Sequence, residues 1–298
     1  MLLTAFLALV AAHPFVLQGN AVSADIRAED IARRIETLSS DAFGGRGPGS
    51  EGEQMTIDYL IEEFKGMGLK PGDGGGGWTQ SVPMVELTPE ASPESRFDIP
   101  GKEATALMHG RDVVLWSPQL GGVVEVDSSE VVFAGYGVVA PEFGWNDYEG
   151  LDVKGKTVLV MVNDPGFASQ DPALFRGNAM TYYGRWTYKF EEAARQGATA
   201  CLIIHEESAA GYGWTVVDQS WSRPQLQLAS SVGESSLVVA GWIEGSAAAA
   251  LAEAAGVDLG ALAAAAHTRE ARPAPLGGAS FSASFSNRMQ RVVSANGC

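Results

Sequence analysis

Two early segments of the chain repeat apolar residues at helical spacing. In the segment AEDIARRIETLSS, Ile31, Ile35 and Leu38 fall on one face, which predicts a short helix. A longer amphipathic helix is predicted from about residue 51, with a continuous apolar face. That face consists of Ile57, Leu60, Ile61, Phe64 and Met67.

The ends of the longer helix carry their own signals. Ser50 and Glu53 form an S-x-x-E pair, which predicts a capping box that satisfies free backbone N–H groups. Gly68 and Pro71 predict where the helix ends, because glycine tolerates the left-handed conformation and proline cannot continue a helix.

Strand patterns follow the helices. The stretch TQSVPMVELTP, residues 79–89, reads as a strand, and Pro83 favours an edge position because proline cannot donate to a ladder. Between residues 97 and 162 the pattern predicts four short strands, in DVVLW, GGVVEV, EVVFAGYGV and GKTVLVMV.

The second half of the chain mixes helices and strands. WTYKFEEAARQG predicts an amphipathic helix that ends at Gly197, and the nearly all-apolar ATACLIIHE predicts a buried strand after it. The alanine-rich segment SAAAALAEAAGVDLGALAAAAH predicts two short helices, and the alternating C-terminal segment predicts a final strand or hairpin. The predicted fold class is therefore mixed α/β.

Composition and charge narrow the classes of function. With 298 residues, 46% of them apolar and 19% charged, the chain has material for a sizeable core. The net charge is −16 and the sequence has no Lys/Arg cluster. Nucleic acids and anionic membranes require concentrated positive charge, so we expect neither as a partner.

The N-terminal 24 residues resemble a secretory signal peptide. A short apolar run precedes small residues at Val22 and Ala24, which predicts cleavage after Ala24 and an exported, periplasmic or extracellular protein. The alternative is a buried N-terminal segment. No later run approaches the ~18 to 20 apolar residues of a membrane span.

The histidines offer little for a metal site. A hydrolytic zinc site needs about three converging His, Asp or Glu ligands. His13 lies in the predicted signal peptide, His109 has the wrong spacing for an H-x-D pair, and His205-Glu206 lacks the second histidine of an H-E-x-x-H helix. We therefore expect His109, His205 and His267 to be surface or strand-end residues, and we predict no metal-binding residue.

Nucleophile candidates are equally weak. Pro48 stands where a G-x-S-x-G nucleophile elbow around Ser50 needs glycine, and the capping box already explains Ser50. Cys201 lies in an apolar strand, where burial suppresses thiolate reactivity, and Cys298 is the last residue. We predict no catalytic and no cofactor-binding residue in this chain.

Three stretches together resemble one family. Residues 38–84 are similar to the N-terminal signature of secreted zinc aminopeptidases of metallopeptidase family twenty-eight, in which a glycine-rich loop precedes a helix and an edge strand. The matching residues are Gly45, Arg46, Gly49 and Gly52 in the loop, Gly68, Leu69 and Pro71 at the helix end, and Gln80 in the strand.

The middle of the chain resembles the protease-associated (PA) domain that one branch of this family carries as an insert. The resemblance lies in VVFAGYGVVAPEFGWNDYEGLDVKGKTVLVMVNDPGF and RWTYKFEEAARQGATACLIIHEE. It implies four parts: a signal peptide over 1–24, peptidase helices and an edge strand over 25–90, a PA-type insert over 91–276, and a strand over 277–298 that returns to the peptidase domain.

The family's zinc ligands and catalytic residues follow the returning strand, so the resemblance carries none of them onto this sequence. It implies that the chain is an N-terminal portion that stops before the zinc site, with Gly297 in place of the apolar residue expected after Asn296. Such a portion would leave the five-residue helix face uncovered, at a cost of about 8 to 15 kcal/mol at roughly 1.5 to 3 kcal/mol per side chain.

The implied function is that of scaffold and PA cover, inactive alone, for an enzyme that uses two zinc ions to cleave peptides or proteins from the N-terminus. The alternative is a free-standing PA-type module that binds peptides or proteins without catalysis. The aromatic segments EFGWNDY, MTYYGRWTY and GYGWTVVDQSW would suit such a recognition surface, or they would pack the insert against the peptidase body.

Overall fold

The computed structural model describes residues 26–72, 75–90, 92–119, 122–230, 235–268 and 274–297. The predicted signal peptide and Cys298 lie outside these residues. The described chain is mixed α/β, as the sequence predicts, with helices on both faces of one ten-stranded sheet and a separate two-stranded ribbon.

The helices include those predicted near the N-terminus, in the middle and in the alanine-rich segment. They are α1 (Ala28–Leu38), α2 (Glu51–Gly66), α3 (Pro165–Ser169), α4 (Trp186–Arg195), α5 (Glu207–Ala210), α6 (Trp214–Trp221), α7 (Gly245–Ala254) and α8 (Leu259–Ala266).

The strands run from the predicted edge strand to the C-terminal segment. They are β1 (Thr79–Pro89), β2 (Glu94–Asp98), β3 (Thr105–Leu107), β4 (Val113–Trp116), β5 (Gly122–Phe133), β6 (Val139–Ala140), β7 (Trp145–Asn146), β8 (Thr157–Met161), β9 (Ala200–His205), β10 (Gln225–Leu228), β11 (Val239–Glu244) and β12 (Ala274–Gly297).

The main sheet has the order β10-β1-β12-β5-β8-β9-β11-β4, with β2 and β3 branching from β12. The neighbours β5, β8, β9 and β11 are parallel, whereas the remaining pairs are antiparallel. The two strands predicted separately in GGVVEV and EVVFAGYGV form one strand, β5, because both parts of it pair with β12.

Both faces of the parallel strands are covered, which explains why their sequences are almost uninterruptedly apolar. Leu159 and Leu202 face one side of the sheet, where Leu251 of α7 packs. Val160 and Ile203 face the other side. The two cores therefore lie on opposite sides of β8 and β9.

The strand β1 has the predicted bounds, but it is not an edge strand. It pairs with β12 on one side and with β10 on the other, so the edge prediction from Pro83 is wrong. Pro83 is tolerated because it lies at the end of the ladder with β10, where its carbonyl still accepts from the Ala229 N–H at 2.9 Å and only the donor is missing.

The caps of α2 confirm most of the predicted signals. The Ser50 hydroxyl accepts from the Glu53 N–H at 3.1 Å, but the Glu53 carboxylate accepts from the N–H of Gly49 at 2.6 Å rather than from Ser50. The second hydrogen bond of the capping box therefore goes to the residue before the N-cap. At the other end, Gly68 has φ +77° and Leu69 N–H reaches the Phe64 carbonyl, which closes the helix as predicted.

The apolar face of α2 is only partly covered. Ile57 is buried, so the expectation that the whole face lies uncovered is wrong at this position, while Met67 is 53% exposed. Leu60, Ile61 and Phe64 are half-buried. The cover comes from β12, because Val292 packs beside Gly49 and the hydroxyl of Ser294 bonds the Glu53 carboxylate.

The strand β12 runs through the predicted boundary between residues 276 and 277. Its first half pairs with β2 and β5, and its second half pairs with β1. One continuous sheet therefore connects the predicted PA-type insert to the N-terminal helices and β1.

In the part of the chain that the structure describes, no single helix has both the length and the apolar character to cross a bilayer. Together, α7 and α8 meet that criterion by length and composition, with a bend of 114° between them.

We predict that Gly52→Ala destabilises the protein and that Gly47→Ala does not. A Cβ at residue 52 would lie 1.9 Å from the Gly45 carbonyl oxygen and 2.1 Å from that of Phe43, whereas a Cβ at residue 47 meets nothing. Overpacking of this kind costs about 1 to 3 kcal/mol.

Urea unfolding of both variants checks this prediction. The free energy of unfolding should fall only for Gly52→Ala, and equal values for the two variants would show that the loop does not pack on α2 as described.

Candidate functional site

The histidines do not converge. His109 lies beside β4, where its Nδ1 accepts from the Leu115 N–H at 3.4 Å and its Nε2 lies 3.2 Å from the Ser222 hydroxyl. His205 ends β9, as predicted, and it lines a cavity together with the exposed His267. No group of three or more His, Cys, Asp or Glu side chains suited to a metal ion occurs among the described residues.

The two nucleophile candidates, Ser50 and Cys201, have structural roles. Ser50 caps α2, and Cys201 is fully buried in β9. Burial in this apolar strand raises the pKa of the Cys201 thiol to about 12, so the thiol stays protonated at neutral pH.

A larger feature is a groove of about 770 Å³ between the two ends of the main sheet. Gln225, Leu226 and Gln227 of β10 line one side, and Trp116 of β4 lines the other. Strands that are farthest apart in the sheet order thus contribute to the same groove. We call it the tryptophan groove, after Trp116 and two further tryptophans, Trp186 and Trp221.

The aromatic rings of the tryptophan groove hold one another in place. Trp116 and Trp221 stack with ring centroids 4.1 Å apart, and Trp186 meets Trp221 edge-on at 4.7 Å. Phe190 packs edge-on against Trp116 at 5.1 Å. Such pairs contribute about 0.5 to 1.5 kcal/mol each beyond simple burial, so the groove has rigid walls.

The groove lies next to a strand with a free edge. Within the described part of the sheet, β10 pairs only with β1, so its other edge keeps unpaired backbone groups. A free strand edge beside an aromatic groove can accept an extended peptide, because the edge supplies backbone hydrogen bonds and the groove accepts side chains. Glu191 and Arg195 line the same groove and give it both signs of charge.

The helix α4 carries Trp186 and Phe190, and a buried lysine anchors it. Lys189 is fully buried, and its ammonium donates to the carbonyl of Tyr136 at 2.6 Å and to that of Asn163 at 2.7 Å. These carbonyls lie beyond the carboxyl ends of β5 and β8, where the sheet ladder no longer supplies donors.

Two buried carboxylates surround this lysine. Asp147 accepts from the backbone N–H groups of Tyr136 and Val138 and from the indole N–H of Trp145. Asp164 accepts from the N–H of Gly166 and from the N–H and hydroxyl of Thr181. Both carboxylates therefore organise loops that follow the parallel strands.

Burial shifts the pKa values of Lys189 and Asp147. Desolvation lowers the pKa of Lys189 to about 7, although the negative charges of Asp147 and Asp164 oppose it. Desolvation also raises the pKa of the Asp147 carboxyl to about 6, against its hydrogen bonds and the charge of Lys189. Desolvation in one buried site thus moves both pKa values toward neutral pH.

The sequence predicted the helix that carries Lys189 but not the burial of this lysine. The sequence signal for its burial was present, because Lys189 lies four residues before the buried Ala193 on the same helical face.

The aromatic segments have two different positions. Trp145 and Tyr148 are buried in the fold, whereas Trp186 and Trp221 line the tryptophan groove.

Comparison of the sequence with protein-family models and with curated proteins gave no significant match.

The Lys189–Asp147 pair predicts a minimum of stability between about pH 6 and 7. Above that range the unfolded chain keeps the lysine proton up to its ordinary pKa of 10.5, while the folded chain has released it. Stability should therefore rise with pH, by at most about 1.4 kcal/mol per pH unit. Below it, folded Asp147 keeps a proton that the unfolded chain releases near pH 3.8, so stability should rise as pH falls from 6 to 4.

Urea unfolding from pH 4 to 10 measures this profile. Lys189→Met should abolish the rise above pH 7 and destabilise the fold by about 1 to 3 kcal/mol per lost bond, because it leaves the buried carbonyls of Tyr136 and Asn163 without their donor. Lys154→Met, at an exposed position, should leave the profile unchanged. An identical profile for Lys189→Met and the unsubstituted protein would refute this assignment.

Proposed function

We propose that this chain supplies the scaffold and a PA-type cover of an exported zinc aminopeptidase. Residues 91–276 are the PA-type insert in this proposal. The helices α1 and α2, with β1 and the second half of β12, form a platform on which a metal-binding sheet packs. We call these four elements the platform.

The pairing of β1 with β12 carries this proposal. These strands flank the proposed insert, and they pair antiparallel from Thr79 opposite Gly297 to Pro89 opposite Asn287. The chain therefore leaves the platform and returns to it at the same place. Insertion of one domain into another requires such neighbouring ends, because the host domain must stay intact around them.

The exposed apolar residues of the platform support the same proposal. The helix α1 has no buried residue, and Ile31 and Ile35 are 48% and 61% exposed. Ion pairs of Arg33 and Arg34 with Glu63 hold α1 to α2. A helix such as α1, which is held by charges while its large apolar side chains stay exposed, is typical of a surface that packs on a further element.

The described residues do not fit a zinc site. His205 and His267 line one cavity together with Glu206. These three side chains do not form a group suited to a metal ion. Zinc would polarise the scissile carbonyl and activate a water molecule in the enzyme, and we assign no step of that reaction to residues of this chain.

We predict that the recombinant 298-residue chain binds no stoichiometric zinc and does not hydrolyse leucine p-nitroanilide. Protein isolated from its natural source with an antibody to residues 122–230 should contain zinc and hydrolyse this substrate, and 1,10-phenanthroline should abolish the activity. Metal analysis and the chromogenic assay on both samples provide the measurement.

Two results would count against the proposal. Tightly bound zinc with chelator-sensitive turnover in the recombinant chain would contradict the assignment of this chain to scaffold and cover. A native sample without zinc and without activity would contradict the aminopeptidase itself.

The tryptophan groove favours a second candidate function, a PA-type module that binds peptides. A peptide added along the free edge of β10 would place alternate side chains in the groove. The net charge of −16 would favour a cationic peptide, because the overall field steers opposite charge toward the protein.

For this second candidate we predict that a ten-residue peptide of alternating Val and Lys binds saturably and changes the tryptophan emission. Trp221→Ala removes the ring that stacks on Trp116, so it should weaken binding about tenfold or more, as for a central interface tryptophan. Met289→Ala, at an exposed residue of β12 outside the groove, is the control. Equal affinity of both variants for the peptide would exclude the groove as the site.

A further inference from the structure

A second cavity, of about 560 Å³, lies at the carboxyl ends of all four parallel strands. Tyr136 follows β5, Met161 ends β8, His205 ends β9, and Gly245 follows β11. In open α/β sheets, ligands bind in the crevice outside the carboxyl ends of the parallel strands. We call this cavity the strand-end crevice. It lies away from the platform and does not share a lining residue with the tryptophan groove.

The hydroxyl of Tyr136 is available to a ligand in the crevice. Tyr136 is only 4% exposed, and bonds of its backbone to Asp147 and Lys189 fix its position. Its hydroxyl forms no hydrogen bond with any residue that the structure describes, and its oxygen is not among the enclosed polar atoms that lack a partner. The hydroxyl is therefore open to the crevice, where it can bond a polar group of a ligand.

His205 supplies a second free polar atom. Its Nε2 lies 3.0 Å from the carbonyl oxygen of Tyr212, which can only accept, so Nε2 carries a proton. In the tautomer with the proton on Nε2, Nδ1 is an acceptor, and no residue in the described part of the chain bonds it. His205 is 4% exposed, so the crevice is the side from which a ligand can reach this acceptor.

The remaining lining defines the chemistry of the ligand. Glu206 contributes a carboxylate that bonds the Ser208 hydroxyl and pairs with no cation in the described chain. Phe167, Ile204, Leu259 and Ala263 supply apolar walls. Two acceptors, one phenol, the exposed ring of His267 and an apolar interior are complementary to a molecule that has an apolar body and donates several hydrogen bonds from a positive group.

We propose that the strand-end crevice binds a small hydrophobic amine. The ammonium group lies between Glu206, the Nδ1 of His205 and the Tyr136 hydroxyl, and the apolar body lies against Leu259 and Ala263. This site is independent of the proposed peptidase role, because binding needs neither zinc nor peptide cleavage.

Calorimetric titration of the 298-residue chain with 2-phenylethylamine at neutral pH tests this proposal. The amine should bind saturably to one site, and 3-phenylpropionate, which has the same ring and a carboxylate, should not bind. The neutral 2-phenylethanol should bind more weakly than the amine, because it lacks the attraction to Glu206.

Substitutions locate the site. Ala263→Phe fills the crevice and should weaken amine binding at least about tenfold, a change of about 1.4 kcal/mol. Ala264→Phe, at the exposed neighbouring position of α8, should leave the affinity unchanged. Glu206→Gln, also at an exposed position, should weaken binding about two- to fivefold, and Tyr136→Phe about two- to tenfold.

Thermal unfolding of each variant confirms that the fold is kept, and Glu206→Gln carries the test if Ala263→Phe does not fold. Absence of saturable amine binding, equal affinity for 3-phenylpropionate, or an unchanged affinity in both Ala263→Phe and Glu206→Gln would overturn the proposal. None of these results depends on the zinc content or peptidase activity of the native protein.

Discussion

The buried amino group of Lys189 joins the helix α4 to the segments that follow β5 and β8. It satisfies the carbonyls of Tyr136 and Asn163, two groups that lie beyond the ends of their strands and inside the fold. By doing so it fixes α4 to the sheet, and α4 in turn presents Trp186 and Phe190 to the tryptophan groove. It also fixes the backbone of Tyr136, whose ring lines the strand-end crevice. One desolvated lysine thus positions the walls of two separate cavities, at the cost of burying an ionisable group.

The topology of the sheet separates three surfaces that have different chemistry. The parallel strands place polar side chains at one end, where the crevice forms. The strands β10 and β4, at the two ends of the sheet order, line opposite sides of the tryptophan groove. The platform lies where β1 and β12 extend together, and its exposed apolar side chains belong mainly to α1 and α2. The shared strand β12 connects the platform to the rest of the sheet.

The sequence predicted elements whose signals are local. The strand β1 has its predicted bounds because glycines precede it and its apolar residues continue up to Pro89, and the caps of α2 are formed by neighbouring residues. The edge prediction for Pro83 failed because β10, which covers β1, comes from a distant part of the chain. The tryptophan groove was not predictable for the same reason, since Trp116, Trp186 and Trp221 meet only in the tertiary fold. His205 was correctly predicted at a strand end, but its burial beside a cavity depends on α7 and α8.

In the proposed arrangement, an α/β unit held by Lys189 carries a platform whose apolar surface is available to a further element. Amide hydrogen exchange of the isolated chain tests it most directly, because protection follows the free energy of local opening. We expect slow exchange throughout β8 and β9 and much faster exchange in α1 and the second half of α2. Protection of α1 equal to that of β9 would show that the platform is already fully packed, and would contradict this arrangement.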